Sequence, residues 1–176
     1  MYRRIIILRI LNAASTANVD VDEALGGRDP YWWILRQNHT EDITDWIMQI
    51  CADLLKRMGQ QQKRQEHETV RIAREYIDKN LTSIELGLEK VSEVVRLSPA
   101  YFSQVFKRDM DMGVNAYITM QRIARAKKLL LSTQLKNDEI ARQSGFHSPS
   151  YFCQVFKKCE GITAGEYRKR NGQSRS

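Results

Sequence analysis

Two decapeptides fifty residues apart carry nearly the same text. Residues 98–107 read Ser-Pro-Ala-Tyr-Phe-Ser-Gln-Val-Phe-Lys, and residues 148–157 read Ser-Pro-Ser-Tyr-Phe-Cys-Gln-Val-Phe-Lys. Eight of the ten positions match, and both differences exchange one small residue for another. Such a repeat means one supersecondary unit used twice. Each copy opens on a helix-start signature, with Ser98 or Ser148 as N-cap and Pro99 or Pro149 at the first helical position. The chain is therefore expected to build the same short helix twice and to give it the same outward chemistry. A protein that touches two similar surfaces, such as two successive grooves of one duplex, is built this way.

The text around the repeat is helical in period. Val70, Ile72, Ala73, Tyr76 and Ile77 mark one apolar face, ended by Asn80-Leu81-Thr82-Ser83. Leu88, Val91, Val94 and Val95 mark a second, short helix, and Leu97 leads into the Ser98 cap. The first repeat helix follows over about 99–109. A longer helix covers about 115–131, and a short one runs from Asp138 to Ser144 before Gly145. The second repeat helix spans about 149–158, and Thr163 caps a last helix through Arg170. The expected class is all-α, with seven helices and no convincing strand in this part of the chain.

Within each repeat helix, Phe102, Val105 and Phe106, or Phe152, Val155 and Phe156, fall at i, i+3 and i+4 and are expected to be buried. The other side presents Ala100, Ser103, Gln104, Lys107 and Arg108 in the first copy. In the second it presents Ser150, Tyr151, Cys153, Gln154, Lys157 and Lys158. A short helix, a turn of three or four residues and such a helix make a helix-turn-helix, whose second helix enters the major groove. The exposed residue types suit that task. Gln104 and Gln154 can pair bidentately with adenine, each worth about 1–3 kcal/mol of discrimination. Ala100 and the ring of Tyr101 or Tyr151 suit thymine methyls or sugar. Ser103, Ser150 and Cys153 are small enough to let the helix sit deep. Lys107, Arg108, Lys157 and Lys158 come where the groove wall brings phosphates close, and the helix starts at Ser98 and Ser148 add backbone N–H donors. His147, next to Ser148, is expected at the DNA backbone or simply in solvent. A lone surface glutamine is usually just solvated, but burial explains only why Phe-x-x-Val-Phe recurs. It does not explain why Gln and Lys recur beside it.

Charge placement agrees. Residues 1–66 hold nine basic and nine acidic side chains, whereas residues 67–170 hold eighteen and twelve. The excess sits on the half with the repeat, which suits a polyanionic partner. Cys51, Cys153 and Cys159 are odd in number and lack metal-ligand spacing, so reduced thiols in a cytoplasm are expected. Cys159 is expected to be partly buried near a helix end. His39, His67 and His147 are isolated, and no nucleophile–base pair, phosphate loop or carboxylate pair is present. No enzyme activity, cofactor, catalytic residue or metal ligand is expected. No apolar run approaches the roughly 20 residues of a membrane helix. The opening loosely mimics a signal peptide, but Arg9 interrupts it, and secretion is not expected.

Upstream, residues 12–30 read as irregular and Tyr31 to Leu35 as an apolar patch. An amphipathic helix is expected over about 40–58, with Ile43, Ile47, Ile50 and Leu54 in one stripe beside Trp46. The stripe suits a homodimer seam or packing against another domain, the second being the commoner use. The polar run 59–67 reads as a linker or a solvated helical connector. The expected domains are thus 1–58, a linker at 59–67, a DNA-binding domain at 68–170 and a tail at 171–176.

Residues from about 70 to 170 resemble the DNA-binding domain of the AraC/XylS family of bacterial transcription regulators. The carrying residues are Leu88, Leu97-Ser98-Pro99-Ala100-Tyr101-Phe102, Phe106-Lys107, Tyr117, Arg122, Ala126-Lys127 and Leu129-Leu130. The second half adds Glu139-Ile140-Ala141, Gly145-Phe146, Ser148, Tyr151-Phe152, Phe156-Lys157, Gly161, Thr163 and Tyr167-Arg168. The resemblance implies two homeodomain-like helix-turn-helix subdomains joined by the long helix at 115–131, with recognition helices in adjacent major grooves. It implies base readout from Ala100, Ser103, Gln104, Ser150, Cys153 and Gln154. Arg168 joins the backbone contacts, and RNA polymerase is an expected partner. Residues 31–58 resemble the connector ahead of this domain in YesN-type response regulators. Sixty residues cannot hold a receiver, so the chain reads as a truncated or degenerate C-terminal portion. Three departures stand out. Arg96 replaces the family's turn glycine, Ser92 replaces a small alanine, and Ala164 replaces a proline after Thr163. The competing reading is a protein-interaction or dimerisation module that has lost specific DNA binding.

Overall fold

A computed structural model describes residues 40–172, with Arg9 and Asn12 besides. The expectations for the opening, for residues 12–30, for Tyr31 to Leu35 and for His39 lie outside these residues. Among residues 40–172 seven helices follow one another and no strand occurs: α1 Thr40–Lys79, α2 Leu88–Val94, α3 Pro99–Met110, α4 Val114–Ser132, α5 Asn137–Gln143, α6 Pro149–Glu160 and α7 Ala164–Gly172.

The chain divides into two compact units, Met1–Glu66 and His67–Ser176. In the first, the stripe expected over about 40–58 lies on the start of α1. That helix does not stop near Met58; it runs on to Lys79. The run Gly59–Glu66 is helical and almost wholly exposed, with Gln62 donating to Glu66 one turn on. Nothing in it breaks a helix except Gly59, and one exposed glycine costs only about 1 kcal/mol. Ile50 and Leu54 are buried within the single chain, and Ile47 and Trp46 are half-buried. The side chain of Ile43 lies outside the described residues.

The second unit holds two cores strung on one helix. The first gathers Val70, Ala73 and Ile77 of α1, Leu86, Val91 of α2, Phe102, Val105 and Phe106 of α3, and Val114, Tyr117 and Ile118 of α4. The second gathers Ile123, Ala126 and Leu130 of α4, Ile140 and Ala141 of α5, Phe146, Phe152 and Phe156 of α6 and its approach, and Ala164 of α7. Thus α4 is the closing helix of the first core over its first turns and the opening helix of the second thereafter. Ile72 and Val94, expected on apolar faces, are exposed. Ile72 lies two residues from Val70, about 200° around the helix, so it cannot share that residue's face.

The duplication is legible in the packing. Phe102 and Phe106 meet edge-on at 5.6 Å, and Phe106 meets Tyr117 at 5.6 Å. Fifty residues on, Phe152 and Phe156 meet at 5.5 Å, and Phe156 meets Tyr167 at 5.6 Å. Edge-to-face contacts of this kind add about 0.5–1.5 kcal/mol beyond burial. A cation covers each tyrosine: Arg74 lies 5.9 Å from the Tyr117 ring centre and Lys127 lies 5.3 Å from that of Tyr167. Lys127 also pairs with Glu160 at 2.8 Å, and His67 meets Asp109.

The family departures have local explanations. Ser92 is buried, and its hydroxyl donates to the Glu89 carbonyl at 2.7 Å, so its polarity is satisfied one turn back. Ala164 does begin α7. Thr163 and Glu166 form a reciprocal capping box in place of a proline: the Thr163 amide donates to the Glu166 carboxylate at 2.8 Å, and the Glu166 amide donates to the Thr163 hydroxyl at 3.2 Å. Those bonds hold the Glu166 carboxyl below its ordinary pKa, the Thr163 backbone donor contributing most.

Candidate nucleic-acid interface

The two helix-turn-helix units are α2–α3 and α5–α6. Each begins with a seven-residue helix whose end is fixed by a residue of positive φ, Arg96 at 57° in the first turn and Gly145 at 87° in the second. Leu97 then donates to the Ser92 carbonyl and Phe146 to the Ala141 carbonyl, each closing its turn. From there the copies diverge. The first turn reaches its cap directly at Ser98, whereas the second inserts His147 before Ser148.

Both caps work as expected. Ser98 accepts from the Tyr101 amide at 3.4 Å and Ser148 from the Tyr151 amide at 3.2 Å, with Pro99 and Pro149 opening α3 and α6. A serine N-cap is worth about 1 kcal/mol over alanine. Phe102, Phe106, Phe152 and Phe156 are fully buried and fix the rotation of each helix. Val105 is buried with them, but Val155 is only half-buried. It lines an open groove between α4 and α6, together with Thr119, Met120 and Ile123.

With the apolar face anchored, the opposite side is set. On α3, Ala100, Gln104, Lys107 and Arg108 are exposed and Ser103 is half-exposed; Ser98 is exposed at the helix start. On α6, Ser150, Tyr151, Cys153, Gln154, Lys157 and Lys158 are exposed, Ser148 is half-exposed, and His147 is exposed beside them. The His147 ring stands edge-on to Tyr151 at 6.3 Å, and Phe146 packs against the same tyrosine at 6.2 Å. Tyr151, half exposed at 50%, is therefore held on its inner side and open on its outer side. Cys159 is exposed as well and not partly buried as expected, because it sits on the groove side of α6.

Arg168 does not join this set. Its guanidinium donates to the Leu130 carbonyl at 3.2 Å and to the Leu135 carbonyl at 2.6 Å, tying α7 to the end of α4. Arg122 and Arg125 work in the same way. Arg122 donates to the Leu81 and Ser83 carbonyls at 3.0 and 2.8 Å, and Arg125 to the Gln143 carbonyl at 2.7 Å. Backbone carbonyls leave no mark in a sequence, so nothing in the text shows which partners these three arginines hold. Among the described residues no cluster of histidine, cysteine and acidic side chains could hold a metal, and no helix is long and apolar enough to cross a membrane.

Comparison with known proteins places this architecture. A family model described as a helix-turn-helix domain matches residues 91–170. The regulatory protein PocR of Salmonella typhimurium is 41% identical over 95 residues, covering 54% of this chain and 31% of that protein. The C-terminal domain of AraT, a response regulator from Geobacillus stearothermophilus, is 37% identical with a TM-score of 0.57, covering 58% of this chain and 84% of that one. The C-terminal domain of the two-component response regulator yesN from Fusobacterium nucleatum is 38% identical with a TM-score of 0.55, covering 56% and 95%. The chain spans between 31% and 43% of the length of the first curated relatives it matches. Two capped helices on one duplicated aromatic frame, matched over nearly the whole of two solved domains, make this chain a member of the AraC/XylS family of transcription regulators.

Proposed function

We propose that residues 67–170 bind double-stranded DNA in a sequence-specific manner and so regulate transcription, with α3 and α6 as recognition helices in adjacent major grooves. The observation that carries this reading is the recurrence of exposed chemistry on a recurring frame. Gln104 and Gln154 occupy the same place on two helices capped and anchored alike, and both are exposed. Base contacts fall to Ala100, Ser103, Gln104, Ser150, Tyr151, Cys153 and Gln154. Phosphate contacts fall to Lys107, Arg108, Lys157, Lys158 and His147, with the amide-rich helix starts at Ser98 and Ser148. The net excess of six positive charges over residues 67–170 supports the same reading.

The setting proposed is the cytoplasm, with RNA polymerase as the protein partner, and the reading assigns no reaction to the chain. Titration against duplex DNA at several salt concentrations tests it. The expected result is a preferred sequence bound at least roughly a thousandfold better than random duplex, with affinity falling steeply as salt rises. Equal, weak binding to all duplexes would leave only an interaction module.

A further inference from the structure

A built junction between the two helix-turn-helix units lies at the changeover between the two cores. On α4, Ile118 belongs to the first core and Ile123 to the second. Arg122 stands between them, and its guanidinium reaches back to the turn after α1, donating to Leu81 and Ser83. The Leu81 carbonyl in turn rests on Gly145 of the second unit. A Cβ on Gly145 would lie 2.0 Å from that oxygen and 2.9 Å from Arg122 Nε. Arg125 fastens the end of α5 to the same stretch of α4 through the Gln143 carbonyl. Arg122 is half-buried, and that burial holds its guanidinium below its ordinary pKa.

We infer that Arg122, the Leu81 carbonyl and Gly145 form a lock that sets the distance and phase between the two recognition helices, and so the spacing of half-sites the protein accepts. The inference rests on the DNA-binding reading. Neither core needs the lock: each has its own aromatic triad and its own share of α4. Besides the lock, the cores are joined through α4 by the four residues between Ile118 and Ile123, a single helical segment that can still bend. A planar guanidinium holding two carbonyls removes that freedom. The asymmetry of the repeat fits. Arg96 holds the place of Gly145 in the first turn, where it is exposed, whereas Gly145 is buried. Only the second turn must be bare, because only the second turn is a docking face for the other unit.

Arg122 is thus a positioning residue, and the readout is spacing tolerance rather than stability. The wild-type chain and Arg122→Gln are titrated with the preferred duplex and with duplexes carrying one base pair more or less between the half-sites. One pair moves a half-site by roughly 3.4 Å and turns it by roughly 35°. The wild type is expected to lose about thirtyfold in affinity on either change, and Arg122→Gln less than about threefold, at a temperature where both are folded by circular dichroism. Arg122→Lys, which keeps the charge but not the planar fork, is expected to fall between them and serves if the glutamine variant does not fold. A variant that binds as steeply spaced as the wild type overturns the lock while leaving DNA binding intact. A wild type with no preferred sequence overturns both.

Discussion

Arg96 and Gly145 hold the same place in two copies of one turn, and both adopt positive φ, 57° and 87°. Glycine does so at little steric cost, whereas an L side chain is disfavoured there by roughly 1–2 kcal/mol. Replacing Arg96 by glycine relieves that strain and adds a smaller entropic cost of about 0.5–1 kcal/mol. Arg96→Gly is therefore expected to stabilise the first unit by about 0.5–1 kcal/mol in urea unfolding; a loss of stability would contradict the strain. The converse change, Gly145→Ala, meets both an unfavourable φ and the Leu81 carbonyl, and is expected to cost well over about 1 kcal/mol.

Each aromatic triad anchors its own recognition helix, so Phe102→Ala and Phe152→Ala are each expected to cost about 3–5 kcal/mol. The valines should separate the two copies. Val105 is buried and Val155 half-open to the α4–α6 groove, so Val105→Ala costs more than Val155→Ala. Thermal melts of the four variants check this, and equal losses at the two valines would contradict the asymmetry.

The capping box of α7 makes that helix sensitive to acid. Glu166 has its carboxyl pKa lowered from the ordinary 4.5 by the Thr163 amide and hydroxyl. A lowered folded pKa gives a contribution fully present above the unfolded value and lost as pH falls through the folded one. Amide protection in α7, taken relative to the intrinsic exchange rate at each pH, is expected to be higher at neutral pH and to fall below about 4.5, whereas Glu166→Ala should be weakly protected at both. Protection in the variant that still rises with pH would assign the effect to another group.

Much of this was readable from the residues, and the reason is physical. The Ser-Pro helix starts, the Phe-x-x-Val-Phe anchors and the glycine at 145 are local signals, and each of them fixes a helix boundary or a buried face within a few residues. Thr163-x-x-Glu166 is a local signal too, and it starts a helix without the family's proline. The junction is not local. Arg122 and Arg168 bind carbonyls 33 to 41 residues away, and a carbonyl belongs to every residue alike. Nor does the text mark where α1 ends its first stripe, because a polar exposed helix and a polar linker share one composition.

Two exposed side chains on α6 should separate base reading from phosphate binding. Gln154→Ala is expected to relax preference at one base position, by about 1–3 kcal/mol of discrimination, with overall stability unchanged. Lys157→Ala should weaken binding to all sequences alike and lower the salt slope by about one.

Selection of bound duplexes from a random pool, followed by sequencing, bears most directly on the duplicated interface. Two short conserved blocks are expected, roughly one helical turn apart, about 10 base pairs centre to centre. Repeating the selection with Gln154→Ala should blur one position in one block and leave the other block intact. A single block, or a pool with no enrichment, would mean that the two repeat helices do not read neighbouring grooves of DNA.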